Sequence, residues 1–314
     1  GAPESLCDTT VKQLSGYYRL TDNKTDDHYF YWMFESRNQP KTDPFILWLT
    51  GGPGCSGMLA LLNENGPCTV TQQSLPGTVT NPYSWTNNAT VLWIDQPTGV
   101  GFSYGAKGDY DHDEHGVRDD MYNFLLDFFT AHPEYADLPF YVFGESYGGH
   151  YAPNVAWRVL AGNQAAGAPL KINLKGLAVG NGLTDPELQY PWYASMANNN
   201  TYGVKAVPDS AYAAMKAELP KCVQMIHACN HGDPSQCASA QAECNNAQIG
   251  PYEQSGLNPY DVRIKCQVPG LCYDFSAPTA WLDLSSTRSY LNVVPSSSKW
   301  SSCNMRVNSM FRND

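Results

Sequence analysis

Ser146 stands in the pentapeptide Gly144-Glu145-Ser146-Tyr147-Gly148, directly after the apolar run Phe140-Tyr141-Val142-Phe143 and before a segment, Asn154–Leu160, of helical character. A serine between two glycines, at a sharp turn from strand to helix, is the arrangement that projects a hydroxyl for nucleophilic attack on a carbonyl. The turn forces the serine into a strained backbone conformation. The glycines lack the side chains that would collide where strand and helix close on each other. The helix N-terminus adds positive partial charge where an oxyanion develops. A second loop with chemical potential is Thr50-Gly51-Gly52-Pro53-Gly54-Cys55-Ser56-Gly57, after the run Phe45–Leu49. Its backbone N–H groups could serve an oxyanion or a phosphate. No Gly-Lys-Ser/Thr follows, so a P-loop is excluded.

Such loops need a rigid sheet to hold them. Four apolar runs read as buried strands: Phe45–Leu49, Val91–Asp95, Phe140–Phe143 and Leu174–Val179. Between the second and third, Val117, Met121, Phe124, Leu125, Phe128 and Phe129 recur on one helical face, with Asp113 and Glu114 ahead of them where acidic side chains suit a helix start. Alternating strands and helices predict an α/β fold with a mainly parallel sheet flanked by helices. After about Thr184 the strand-like runs vanish and seven of the ten cysteines follow, so residues 184–303 read as a disulfide-rich cap inserted after a core of residues 1–183, with 304–314 returning toward that core.

The chain has 314 residues, 42% of them apolar, with 20 Tyr and 8 Trp, enough for a large core and for an aromatic-lined cleft. Net charge is −11 with no Lys/Arg block, which argues against nucleic acid as a partner. An even set of ten cysteines and three N-x-T sequons, at Asn23, Asn88 and Asn199, favours the secretory route, and no apolar run is long enough to span a membrane. The start Gly1-Ala2-Pro3 reads as a processed or trimmed terminus.

Taken in order, several stretches resemble the serine carboxypeptidase family. They are W-L-T-G-G-P-G-C-S at 48–56, N-E-N-G-P at 63–67, S-W-T-N-N-A-T-V-L-W-I-D-Q-P-T-G-V-G-F-S-Y at 84–104, F-G-E-S-Y-G-G-H-Y-A-P at 143–153, G-N-G-L-T-D-P at 180–186 and Y-D-V-R at 260–263. The resemblance covers nearly the whole chain. It implies an α/β-hydrolase fold and a serine-type carboxypeptidase that releases C-terminal residues from peptides through an acyl-enzyme on Ser146. The N–H groups of Gly52 and Tyr147 would form the oxyanion hole, each such donor being worth about 3 kcal/mol in the transition state. Glu64 and Glu145 match the family's carboxyl pair and, with Thr50 and the Gly51 N–H, would hold the free carboxylate of the peptide. Carboxyl groups so close cannot all ionise, so one must keep its proton, and activity is expected to be best at acidic pH. Most family members have Asn at the position of Thr50. Threonine offers one hydrogen-bond donor from a shorter side chain where Asn offers two. Tyr260, Cys272, Tyr273, Ser302 and Cys303 fall where the family lines the leaving-group side of its cleft; packing around disulfides is the alternative.

The family also implies the pairs Cys55–Cys303, Cys222–Cys244, Cys229–Cys237 and Cys266–Cys272, which leaves Cys7 with Cys68. The first would close a loop of about 250 residues, contributing roughly 5 kcal/mol in the chain-entropy view and pinning the cap near the oxyanion loop. No histidine follows His231, so the chain lacks a base in the expected order Ser, Asp, His. His150, on the helix leaving the elbow, reads as a packing residue. The triad Asp and His are expected on a second, smaller chain or a segment not among these residues; a homodimer is also left open. His227 and His231 lie among cysteines, but the C-x₂-C spacing of zinc sites is absent, so no metal or other cofactor is expected. Two alternatives remain at this level: an acyltransferase on the same scaffold, and a non-catalytic partner that protects other lysosomal enzymes. The expected location is lysosomal, vacuolar or secreted.

Overall fold

The computed structural model describes residues 6–20, 26–106, 108–232 and 234–311; the sequon at Asn23 and residues 312–314 lie outside them. The described chain divides into two compact units, residues 6–182 with 275–311, and residues 183–274.

The first unit is built on a six-stranded sheet of β1 (Gln13–Arg19), β2 (His28–Phe34), β3 (Phe45–Leu49), β6 (Thr90–Ile94), β7 (Phe140–Glu145) and β8 (Leu174–Gly180), in the order β1-β2-β6-β3-β7-β8. A two-stranded ribbon, β4 (Cys68–Thr69) and β5 (Val79–Thr80), stands apart. Strands β6, β3, β7 and β8 run parallel, and β1 and β2 add an antiparallel edge. The four parallel strands lie where the sequence places them, but β8, expected to be buried, is exposed along most of its length. The antiparallel pair is additional.

Alternation along each strand divides the core into two layers, because successive side chains leave a strand on opposite faces. Tyr29, Tyr31, Phe45, Leu47, Leu49, Phe140 and Val142 pack on one face against α2 (Glu114–Ala131) and α3 (Gly148–Gln164). Phe30, Trp32, Phe34, Ile46, Trp48, Val91 and Trp93 pack on the other, against α1 (Gly57–Asn63) and Trp281, Leu282 and Trp300. Helix α2 buries the predicted face, Val117 through Phe129, and begins where Asp113 accepts hydrogen bonds from the N–H groups of His115 and Gly116. Helix α3 begins at Gly148, earlier than the predicted Asn154, because the elbow passes directly into it.

Residues 275–303, grouped with the cap in the sequence reading, cluster instead with the first unit. Their α9 (Ser276–Leu282) carries Trp281 and Leu282, Leu291 follows α10 (Ser285–Tyr290), and together with Val293 and Trp300 these fill the core on the α1 side of the sheet. Burial of large aromatic surface outweighs the polar composition that suggested a cap. Residues 304–311, with α11 (Met305–Met310), also belong to this unit.

The second unit carries α4 (Pro186–Gln189), α5 (Tyr193–Asn198), α6 (Asp209–His231), α7 (Cys237–Cys244), α8 (Gly250–Glu253) and a small ribbon, β9 (Leu257–Asn258) and β10 (Asp261–Lys265). Its disulfides are Cys222–Cys244, Cys229–Cys237 and Cys266–Cys272; the first unit holds Cys7–Cys68 and Cys55–Cys303. These are the pairs the resemblance implied. Cys303 lies in the first unit, so its bridge ties the 302–308 segment, not the cap, to the glycine loop. Asn88 and Asn199 are exposed. Among the described residues no helix is long and apolar enough to cross a membrane.

Candidate active site

Strand β3 lies between β6 and β7, in parallel register with both, so the loops at the carboxyl ends of β3 and β7 emerge side by side. This end of a parallel sheet is where α/β folds place their ligands. At the end of β7 Ser146 takes φ +59°, the left-handed region that a residue with a side chain seldom adopts. The conformation is held by a hydrogen bond from the Ser146 N–H to the Gly180 carbonyl at 3.1 Å, and by the Gly149 N–H donating to the Ser146 carbonyl at 2.9 Å.

The flanking glycines answer to space. A Cβ on Gly144 would stand 2.4 Å from the Gly148 carbonyl oxygen, and one on Gly148 would stand 2.7 Å from the Leu49 carbonyl oxygen. Gly51 is pressed against the elbow: its Cβ would fall 2.4 Å from the Tyr147 nitrogen and 2.6 Å from the Glu145 carbonyl oxygen. The glycine loop and the Tyr147 amide are therefore immediate neighbours. Gly52 follows at φ +121°, turning the chain back toward Cys55.

Three further contacts fix that loop. The Ser56 N–H donates to the Ser302 carbonyl and the Asn304 N–H to the Gly54 carbonyl, both at 2.8 Å, while the Asn308 amide donates to the Pro53 carbonyl at 3.0 Å. Beneath it, the Ser56 hydroxyl caps α1 by accepting from the Met58 N–H, accepts from the Trp300 indole at 3.1 Å, and hydrogen-bonds the fully buried Asp95 carboxylate. The Phe102 N–H donates to the other Asp95 oxygen at 2.8 Å. Burial pushes the Asp95 carboxyl up to about 6, against the hydrogen bonds from Ser56 and Phe102, which pull it down. Trp300, Asn304 and Asn308 were not legible as site supports, since only the fold brings them to residues 53–56. Ser302 and Cys303 serve as this scaffold through the carbonyl and the disulfide.

Thr50 is buried and its hydroxyl accepts from the Trp48 indole at 3.1 Å, which leaves the hydroxyl proton as its one side-chain donor. Glu64 follows α1, and Glu145 ends β7; their carboxyl groups hydrogen-bond each other. The loop carrying Glu64 is anchored by Asn65, which accepts from the buried Trp93 indole at 3.0 Å. Loss of hydration around the carboxyl, then the hydrogen bond and repulsion from Glu145, push Glu64 up to about 9. Part of the Glu64 side chain still reaches solvent, so water moderates the shift while its direction stands.

His150 lies parallel to the Tyr147 ring at 4.3 Å, a packing arrangement beside the elbow. Tyr260 and Tyr273 belong to the second unit, with ring centroids 6.1 Å apart. His227 and His231 also lie there, and the cysteines around them are all bonded to each other.

A strained serine on a strand-to-helix turn, a glycine loop packed on its following amide and a proton-sharing carboxyl pair together suit acyl transfer at a carboxyl-terminal peptide bond. Comparison with known proteins agrees. Residues 3–314 match the family described as serine carboxypeptidase. Carboxypeptidase Y homolog A of Coccidioides posadasii is 44% identical over 312 residues, covering 98% of this chain and 56% of that protein; the homolog of Arthroderma otae is 45% identical over 308 residues, covering 97% and 54%. The chain thus spans little more than half the length of these relatives. The crystal structure of Kex1(delta)p, a prohormone-processing carboxypeptidase from Saccharomyces cerevisiae, superposes with a TM-score of 0.85 at 27% identity, covering 97% of this chain and 68% of that one. The fold is that of the α/β-hydrolases, and the chain belongs to the serine carboxypeptidase family.

Proposed function

We propose that this chain is the nucleophile-bearing part of a serine carboxypeptidase. The observation that carries the reading is Ser146 at φ +59°, with the Gly51–Gly52 loop packed directly on the Tyr147 amide. Ser146 attacks the last peptide bond of the substrate, the N–H groups of Gly52 and Tyr147 stabilise the oxyanion, and water hydrolyses the acyl-enzyme. Glu64 and Glu145, sharing a proton, recognise the free carboxylate together with Thr50 and the Gly51 N–H. The activity belongs to a longer protein, whose triad Asp and His come from residues outside these 314, on the same or a second chain. Five disulfides support a lysosomal, vacuolar or secreted location.

The test uses the complete protein purified from its source. Release of the C-terminal amino acid from a blocked dipeptide is measured at mildly acidic pH, against the same dipeptide amidated at its C-terminus. The free acid is expected to be cleaved and the amide much less, with Ser146→Ala lowering kcat by at least roughly 10³-fold. Equal rates on acid and amide would remove the carboxylate-recognition role of Glu64 and Glu145. No release from either, with Ser146 still labelled by an organophosphonate, would mean that the acyl group goes elsewhere than to water.

A further inference from the structure

In the second unit, α4 and the C-terminal turn of α6 bring Glu187, His227 and His231 together, with one ligand atom of each within 4.8 Å of the others. The two histidines are four residues apart on one helix face, and their rings stack at 4.2 Å. The His227 Nδ1 lies 3.0 Å from a Glu187 carboxylate oxygen. All three side chains are open to solvent to some degree. Cys222, Cys229, Cys237 and Cys244 pair among themselves, so none of them offers a thiolate beside this trio.

We propose that Glu187, His227 and His231 form a binding site for a divalent first-row transition ion of the zinc class, independent of Ser146 and of the peptidase reading. Two imidazoles and a carboxylate are the donor set of three-ligand zinc sites, and nitrogen donors select zinc, copper or nickel over calcium and magnesium. The surroundings already orient the donors. The His231 Nδ1 lies 3.1 Å from the His227 carbonyl oxygen, which can only accept, so Nδ1 carries the proton and Nε2 keeps its lone pair for a metal. The Asn230 amide lies 3.3 Å from the second Glu187 oxygen and steadies the carboxylate while the first oxygen faces His227. A tetrahedral ion holds its ligand atoms about 3.4 Å apart, so side-chain rotation alone closes this triangle, and the fourth position is left to water. Bound metal would clip α4 to α6, next to the Cys229–Cys237 bridge.

Zinc chloride titrated calorimetrically into the complete protein at neutral pH is the direct test. The expected result is one saturable equivalent that disappears in His231→Ala and in Glu187→Gln and persists in His112→Ala, a histidine outside the cluster. Asn230→Ala should weaken the affinity about tenfold, as loss of an orienting partner does. The three altered side chains of the site are partly or fully exposed, and unchanged melting of the metal-free variants checks that they fold. Bound zinc that survives both His231→Ala and Glu187→Gln, or no binding to the unaltered protein, overturns the proposal. Either result leaves the peptidase assay untouched.

Discussion

Glu64 and Glu145 reach each other from different elements, one from the end of α1 and the other from the end of β7, and between them they hold a proton that isolated carboxyl groups would have released. Glu64 is the member pushed upward, to about 9, through lost hydration, then the hydrogen bond and the charge of Glu145. The sign is set by that direction: the pair carries its proton at acidic pH and loses it as pH rises. In the proposed site this pair can donate a hydrogen bond to a substrate carboxylate only while the proton is present. For a blocked dipeptide acid, kcat/KM is therefore expected to fall on the alkaline side by about tenfold per pH unit once the proton is lost. In Glu64→Gln the amide donates at every pH, and the fall should disappear. Stopped assays across pH 5 to roughly 10 decide it; an identical alkaline limb in the variant would show that another group controls it. The strained turn at Ser146 and the Glu64–Glu145 pair were legible because each residue sits in a contiguous motif. The Ser56–Asp95–Trp300 network was not, since its members lie 39 and 244 residues apart and meet only through the sheet.

At the scale of elements, Asp95 ends the region of β6 and holds together the start of α1, the turn at Phe102 and, through Ser56, Trp300. Its carboxyl is raised from 3.8 to about 6 by burial. A raised acid binds a proton in the native state that the unfolded chain has already given up. Stability from this group thus declines as pH rises from about 4 to 6 and levels off above that, by on the order of 3 kcal/mol. Asp95→Asn cannot ionise and should flatten that part of the profile. Urea midpoints at both ends of the window, for the unaltered protein and the variant, measure the difference; equal slopes would mean that Asp95 stays ionised throughout. The four parallel strands were readable as short apolar runs, although Lys175 interrupts the last of them. β1 was not, being half-buried along most of its length without clean alternation; β2 carries the same kind of run, Tyr29–Phe34, buried throughout, and takes its place by pairing with β6. Residues 275–303 are the opposite case: they lack strand-like runs and follow the cysteine-rich stretch, while a few aromatic side chains fix them to the core.

At the scale of the molecule, the sheet of the first unit closes on one side with β2 and β1 but ends on the other at β8. There Leu177 and Val179 remain 47% and 36% exposed, and on the neighbouring α3 Trp157 and Leu160 are 54% and 50% exposed. A parallel strand is normally buried on both faces and flanked on both edges, and a bare apolar edge is a template for another strand. The curated relatives are nearly twice as long as the stretch they share with this chain. A further strand, brought by the remainder of a full-length protein, would cover β8 and, under the proposed function, would be placed to carry the triad acid and base near the carboxyl ends of the sheet. Hydrogen exchange reports this directly. In the 314-residue chain alone the outward amides of residues 174–180 should exchange quickly. In the complete protein they should be slowed by at least roughly 100-fold, as amides inside a stable ladder are. Equal exchange in both would mean that β8 stays an edge, and the base would then have to reach Ser146 by a route other than extension of this sheet.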